Sequence, residues 1–61
     1  MEASMLNLQA DIIDGEIKIL ERAVWTCETH ELPETARQLR LTMDILQAAV
    51  RIIKLEVAEV A

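Results

Sequence analysis

The sequence has little glycine, proline, cysteine or aromatic residue: one each of Gly, Pro, Cys and Trp among 61 residues, and no Tyr or Phe. A lone cysteine, Cys27, forms no internal disulfide, and one histidine with one cysteine does not complete a structural zinc site. Chains of this size bury only about 60% of the surface that their unfolded form exposes. Because neither of the usual covalent or metal staples is present, we expect the chain to be stabilised by association.

Basic residues are scarce in the first half of the chain. Residues 1–31 hold seven acidic and two basic side chains, whereas residues 32–61 hold four of each, and the net charge is −5. An acidic half repels a phosphate backbone, so we expect no direct binding of nucleic acid. The acidic balance leaves open one alternative, a mimic of nucleic-acid phosphates.

Long apolar runs are also absent. Lys18, Glu21, Arg51 and Lys54 interrupt the candidate stretches, and none reaches the roughly 18 residues that span a membrane. The sequence lacks the pattern of a signal peptide, which is a basic start followed by an apolar run and a cleavage site. A lone thiol suits a reducing compartment. The sequence therefore predicts a soluble, cytoplasmic protein without membrane insertion.

What the sequence does have is an apolar repeat with alternating spacings of three and four residues, which is typical of helices that pack on one another. In the first half the repeat comprises Ala3, Leu6, Ala10, Ile13, Ile17, Leu20, Val24 and Cys27. In the second half it comprises Ala36, Leu39, Met43, Leu46, Val50, Ile53, Val57 and Val60. Together these residues are called the seam, and none of them is charged.

The two halves of the seam mirror each other. If the chain turns back on itself, facing residues have numbers that sum to 63, from Cys27 with Ala36 to Ala3 with Val60. This symmetry predicts two antiparallel helices joined by a short turn. A link of two to five residues is typical of such helix pairs.

Pro33 predicts where the second helix begins, because proline lacks a backbone N–H, suits the first helical turn and disfavours helical geometry in the residue before it. We predict a single domain over 1–61, with helices at about 3–29 and 33–59 and a turn at about 30–32. The predicted fold class is all-α: a coiled-coil-like two-helix antiparallel hairpin, completed by a partner or by homodimerisation.

One dipeptide argues against a continuous first helix. Asp14-Gly15 is typical of turns, and glycine inside a helix costs about 1 kcal/mol relative to alanine. A break at this dipeptide is therefore an alternative. The seam runs through it without a change of phase, and for that reason we expect the helix to continue.

A second apolar stripe lies away from the seam on each predicted helix. It comprises Met5, Leu8, Ile12, Ile19 and Ala23 on the first helix, and Leu41, Ile45, Ala48, Ile52 and Leu55 on the second. A patch of this extent normally marks an interface. The residues predicted to bind a partner are Leu8, Ile12, Ile19, Trp25, Leu41, Ile45, Ile52 and Leu55. Alternatively, the stripe is the wide core face of a homo-oligomeric bundle.

The sequence offers little for chemistry. A nucleophile and its base would have to come from Ser4, Cys27 and His30, and Ser4 lies at the opposite end of the predicted hairpin from the other two. Cys27, His30 and Glu31 near a helix end are weak evidence for a metal site, and no glycine-rich phosphate loop is present. We therefore predict that the protein is not an enzyme and holds no cofactor or metal.

The turn and second helix resemble a known family. The residues that carry the resemblance are Pro33-Glu34, Leu39, Leu46, Ala48-Ala49 and Ile52-Ile53. Over roughly residues 16–55 the chain resembles the small cytoplasmic co-chaperones of type III secretion needle subunits, which are helical hairpins of similar length. The resemblance implies that the hairpin docks on a helical-repeat chaperone and helps to keep a needle subunit soluble before export.

A second function remains open beside the resemblance. Two copies of the hairpin that cover each other's second stripes would form a homodimeric four-helix bundle, acting as a small regulator or adaptor. The expected partner is thus either another helical protein, such as a helical-repeat chaperone, or a second copy of this chain.

Overall fold

The structure is a computed structural model that describes residues 3–60, with side chains over 4–59. Helix α1 spans Ala3–Thr29 and helix α2 spans Pro33–Val60. The two pack against each other along their length in a molecule measuring 46 × 14 × 12 Å. Over the described residues the chain is entirely helical apart from the turn, which confirms the predicted two-helix hairpin. Helix α1 continues through Gly15.

The end of α1 is closed by backbone hydrogen bonds typical of a helix that stops in the left-handed conformation. The N–H of Leu32 donates to the carbonyl of Cys27 at 2.8 Å, and that of Glu31 donates to the carbonyl of Glu28 at 3.2 Å. Glu31 has a φ of 59°. This is a Schellman motif, whose left-handed position is usually glycine. The chain therefore turns at a residue whose Cβ disfavours that conformation.

Helix α2 starts as the sequence predicts, at Pro33. The first helical bond runs from the N–H of Ala36 to the carbonyl of Leu32 at 3.0 Å. Proline suits this first position because the N–H that it lacks would have no partner within the helix. Its ring also pushes Leu32 out of helical geometry, and Leu32 is the only residue between the helices in neither a helix nor a turn.

The seam forms the interface between the helices. One row of it is 1–8% exposed and comprises Ala10, Ile17 and Val24 of α1 with Ala36, Val50 and Val57 of α2. The remaining described seam residues are half-buried: Leu6, Ile13, Leu20, Cys27, Leu39, Met43, Leu46 and Ile53. The pairing of Ala3 with Val60 concerns side chains outside the described residues.

The interior of the hairpin is thin. Its central cluster is built on Ala10, Ile17 and Val50. No large side chain among the described residues falls below 2% exposure. Apart from Ile17, the fully buried residues of the row are alanines and valines, because two helices alone enclose few larger groups. Two helices of this length thus leave much of their apolar surface uncovered.

Candidate interaction surface

Ion pairs along one broad side of the hairpin show which face of α1 and which face of α2 lie on the same side. Arg40 pairs with Glu28 near the turn, and Lys54 pairs with Asp14 with 3.9 Å between Nζ and Oδ2. Both pairs join α1 to α2, so these four residues lie on the same side. Helical spacing of about 100° per residue adds further residues to this charged side: Asp11, Lys18, Glu21, Arg37, Asp44 and Arg51.

Four isoleucines lie on the opposite broad side. Ile12 and Ile52 each precede an ion-pairing residue, Asp14 and Lys54, by two positions, which is about 200° around the helix. Ile19 and Ile45 lie one heptad nearer the turn and have the same orientation. All four side chains are exposed: 51% for Ile12, 57% for Ile19, 69% for Ile45 and 54% for Ile52. The surface containing these four residues is called the isoleucine side.

The four isoleucines are arranged as two rungs across the hairpin. Ile12 and Ile52 have numbers that sum to 64, as do Ile19 and Ile45, close to the 63 of the seam. The two residues of each rung therefore lie at about the same height. Successive rungs are seven residues apart, which corresponds to roughly 10 Å along the helix axis.

Between the isoleucine rows, the half-buried part of the seam forms the floor of the surface. The floor contains Ile13 and Leu20 from α1 with Leu46 and Ile53 from α2. Except for Met43, all the half-buried seam residues belong to this flank, whereas the fully buried row is turned towards the charged side. Floor and rungs form an apolar surface that Glu16 interrupts on α1.

Side-chain length explains why the two flanks of the seam differ in burial. On the charged side, the ion pairs of Glu28 with Arg40 and of Asp14 with Lys54 span the line between the helices, and the alkyl stems of such long residues cover apolar surface that they cross. The positions beside the floor on the other flank include Ala23, Thr42 and Ala49. These short side chains leave the floor partly open, and they would let the backbone of another helix approach closely.

Acidic and polar residues bound the isoleucine side. Glu16 is exposed and lies between the two rungs on α1. His30 and Thr35 lie at the turn end, and Gln9 and Glu56 lie towards the other end of the hairpin. No lysine or arginine lies on this side within residues 3–60, because all six basic residues lie on the charged side or on the outer edges.

The structure separates the eight residues predicted to bind a partner, all of them exposed, into three groups. The four isoleucines share the isoleucine side. Leu8, Leu41 and Leu55 lie on the outer edges, pointing away from the opposite helix by their spacing from the seam. Trp25, 68% exposed, lies one turn from both Glu21 and Glu28 and therefore on the charged side. A single flat partner does not contact all three groups.

The floor residues were absent from the predicted partner-binding set. Ile13, Leu20, Leu46 and Ile53 were predicted as seam, and the sequence gives no direct measure of how well a seam position is covered. A signal was nevertheless available in the alternation of flanking residues. Ion-paired side chains join the helices on one flank, whereas the other flank includes the short residues Ala23, Thr42 and Ala49.

Two surface grooves of about 330 Å³ each lie next to Arg40; one is lined by Glu21, Val24, Met43 and Asp44, and the other lies at the turn. Over residues 3–60 no three His, Cys, Asp or Glu side chains are grouped as metal ligands. Within that range, neither helix has a stretch long and apolar enough to cross a membrane.

Comparisons of the chain with protein-family models, with curated proteins and with solved structures found no match.

Proposed function

We propose that this chain is a protein-binding hairpin that docks through its isoleucine side on two antiparallel helices of another protein. The observation that carries the proposal is the apolar surface formed by the four exposed isoleucines and the half-buried floor between them. Monomeric proteins rarely expose contiguous apolar surface of this extent, and such patches mark interaction sites.

The width of the surface argues for a pair of helices as the docking element. A single helix seated on the floor would cover Leu20 and Leu46 but would leave the outer isoleucine rows in water. Two antiparallel helices, each above one row, would cover floor and rows together in the geometry of a four-helix bundle. The short side chains of Ala23 and Ala49 permit that close approach.

Burial of the isoleucines supplies a useful part of the binding energy. Each large aliphatic side chain contributes about 1.5–3 kcal/mol when fully buried, so four that are already about half covered contribute roughly 3–7 kcal/mol before ordering costs. This is comparable to the 5–15 kcal/mol by which a small domain is usually stable. Binding would thus stabilise both the complex and the hairpin.

The resemblance to needle-subunit co-chaperones gives this binding a role. In that role the hairpin docks on a helical-repeat chaperone, whose repeats are antiparallel helix pairs, and the two together keep an export substrate soluble. The isoleucine side supports the role because it is the size and shape of one such pair. The second candidate, a homodimeric regulator, is favoured by one observation: the rungs of level isoleucines are symmetrical enough to face a second copy.

Co-expression with the helical-repeat chaperone that accompanies a needle subunit tests the proposal. The test variant is Ile45→Asp with Ile52→Asp, which places two charges on the isoleucine side and leaves the seam unchanged. Burying an unpaired charge costs several kcal/mol, so the wild type should co-purify with the chaperone and the variant should not. Circular dichroism should show similar helicity for both.

A matched control adds the same two charges on the charged side. Asn7→Asp with Ala58→Asp also converts two neutral residues to Asp, and it should retain the chaperone. The proposal fails if the wild type retains no helical protein. It fails equally if the isoleucine variant retains the same partner as the control.

A further inference from the structure

We infer that, in the absence of its partner, the isoleucine side is covered by a second copy of this chain, in a parallel dimer with both turns at the same end. In this dimer α1 of each copy lies over α2 of the other. The inference rests on the proposed function for its biological sense, because both partners would use one surface.

The area available matches that of a stable dimer. A side of 46 by 12–14 Å presents roughly 600 Å² per copy, or about 1,200 Å² over two copies, which reaches the lower end of the 1,200–2,000 Å² of standard protein interfaces. At its ends the side carries polar residues such as His30, Thr35 and Glu56, and its centre is apolar except for Glu16. Protein interfaces commonly combine an apolar core with a polar rim.

Two twofold arrangements bring the isoleucine sides face to face. If the twofold axis runs parallel to the helices, each residue has the same position along the helix axis in both copies. Ile12 then faces Ile52 of the other copy, and Ile19 faces Ile45. If the axis runs across the helices, α1 lies on α1, and Ile12 faces Ile19 of the other copy. Both arrangements match isoleucine with isoleucine, so the aliphatic residues alone do not choose between them.

Charge chooses the parallel arrangement. The centre of the isoleucine block on α1 lies between Gly15 and Glu16. With the axis across the helices, the two Glu16 carboxylates would meet at the centre of the interface, where like charges are costly. With the axis along the helices, Glu16 lies over Ala48-Ala49 of the other copy, whose short side chains leave its carboxylate a path to water.

The net charges of the helices support the same choice. Helix α1 carries five acidic and two basic residues, and α2 carries four of each. Stacking α1 on α1 would place two helices of net charge −3 against each other. Stacking α1 on α2 places a helix of net charge −3 against a neutral one. A dimer of this kind would also compete with the partner, since each covers the isoleucine side of the other.

Sedimentation equilibrium of the chain expressed alone gives the first test. The wild type should behave as two chains at micromolar concentration, and Ile45→Asp with Ile52→Asp should behave as one. Asn7→Asp with Ala58→Asp should remain dimeric. A wild type that stays monomeric and helical throughout the concentration range would overturn the inference, as would an isoleucine variant that stays dimeric.

A distance between spin labels gives the orientation. In a Cys27→Ser background, Thr29→Cys places one exposed label near the turn. In the parallel dimer the two labels lie at the same height and should be less than about 30 Å apart, which is the diagonal of two stacked hairpins of this cross-section. In the crossed dimer each label lies about 13 residues from the centre, so the separation would be about 40 Å or more. The longer distance would overturn the inference.

The two proposals fail separately. A monomer that captures the helical-repeat chaperone would contradict the dimer and leave the proposed function standing. A parallel dimer that never exchanges into a complex would contradict the proposed function and leave the dimer standing.

Discussion

Asp14 and Lys54 join the two helices on the charged side, with 3.9 Å between Oδ2 and Nζ. Glu28 and Arg40 form the equivalent pair near the turn. In both pairs the residue numbers sum to 68. Glu21 and Gln47, midway between the two pairs, also have numbers that sum to 68, so their side chains are placed to meet in the same way. Gln47 is uncharged, and the row of ion pairs therefore lacks a cation at this point.

Gln47→Arg should complete that row of ion pairs. We expect the free energy of unfolding to rise by about 0.2–1 kcal/mol, as for other exposed ion pairs, and the gain to fall at high salt. Urea denaturation at low and high salt measures it. In a double-mutant cycle the gain should disappear when Glu21→Gln is present. An equal gain with and without Glu21 would mean that the two residues do not face each other.

Glu31→Gly should stabilise the turn. Glu31 has a φ of 59°, a conformation that costs an L-residue roughly 1 kcal/mol and glycine little. We expect the free energy of unfolding to rise by about 0.5–1 kcal/mol, measured by chemical denaturation. Glu31→Ala is the control, because it removes the carboxylate and keeps the Cβ. Equal stability of the Gly and Ala variants would contradict the left-handed assignment.

Gly15→Ala should stabilise α1. A Cβ at this position would meet no atom within 4 Å, and alanine is favoured over glycine in a helix by about 1 kcal/mol. Thermal or chemical unfolding should show the gain at unchanged mass in solution. A loss of stability would instead indicate that α1 breaks at Asp14-Gly15, or that another helix packs against Gly15.

Ile17→Ala and Ile19→Ala should have different effects although the two residues are close in sequence. Ile17 is 5% exposed and Ile19 is 57% exposed. Truncating the buried residue should cost about 2–5 kcal/mol and largely unfold so small a hairpin, as seen in the circular dichroism signal. Truncating the exposed one should preserve helicity and weaken association. Loss of helicity only in Ile19→Ala would contradict the assignment of the seam.

The sequence was sufficient to predict the fold because helix pairing depends on periodicity. The spacing of apolar residues predicts the seam. The numbers of facing seam residues sum to 63, and this sum places the turn without knowledge of any contact. Pro33 specified the start of α2 through its missing N–H. The Schellman bonds were not predicted, because Glu31 is an unusual residue for their left-handed position and carries no turn signal.

The interaction surface was only partly predictable. The periodicity identified Ile12, Ile19, Ile45 and Ile52 as a stripe separate from the seam, but it does not reveal how much of the seam is covered. That depends on the reach of flanking side chains, such as Arg40 on one side and Ala49 on the other. Trp25 belongs to the predicted set because tryptophan is frequent in binding hot spots, and its helical spacing alone already places it on the polar face between Lys18 and Glu28.

Isoleucine methyl signals in NMR report whether the isoleucine side is an interface that is covered when the protein is active. Relaxation by a soluble paramagnetic agent would be measured for Ile12, Ile19, Ile45 and Ile52, with buried Ile17 as the internal reference. When the chain is concentrated or bound to its partner, the four methyls should be protected nearly as well as that of Ile17, and the Ile45→Asp with Ile52→Asp variant should leave Ile12 and Ile19 strongly relaxed. Strong relaxation of all four in the wild type, at every concentration and with every helical partner, would contradict the account.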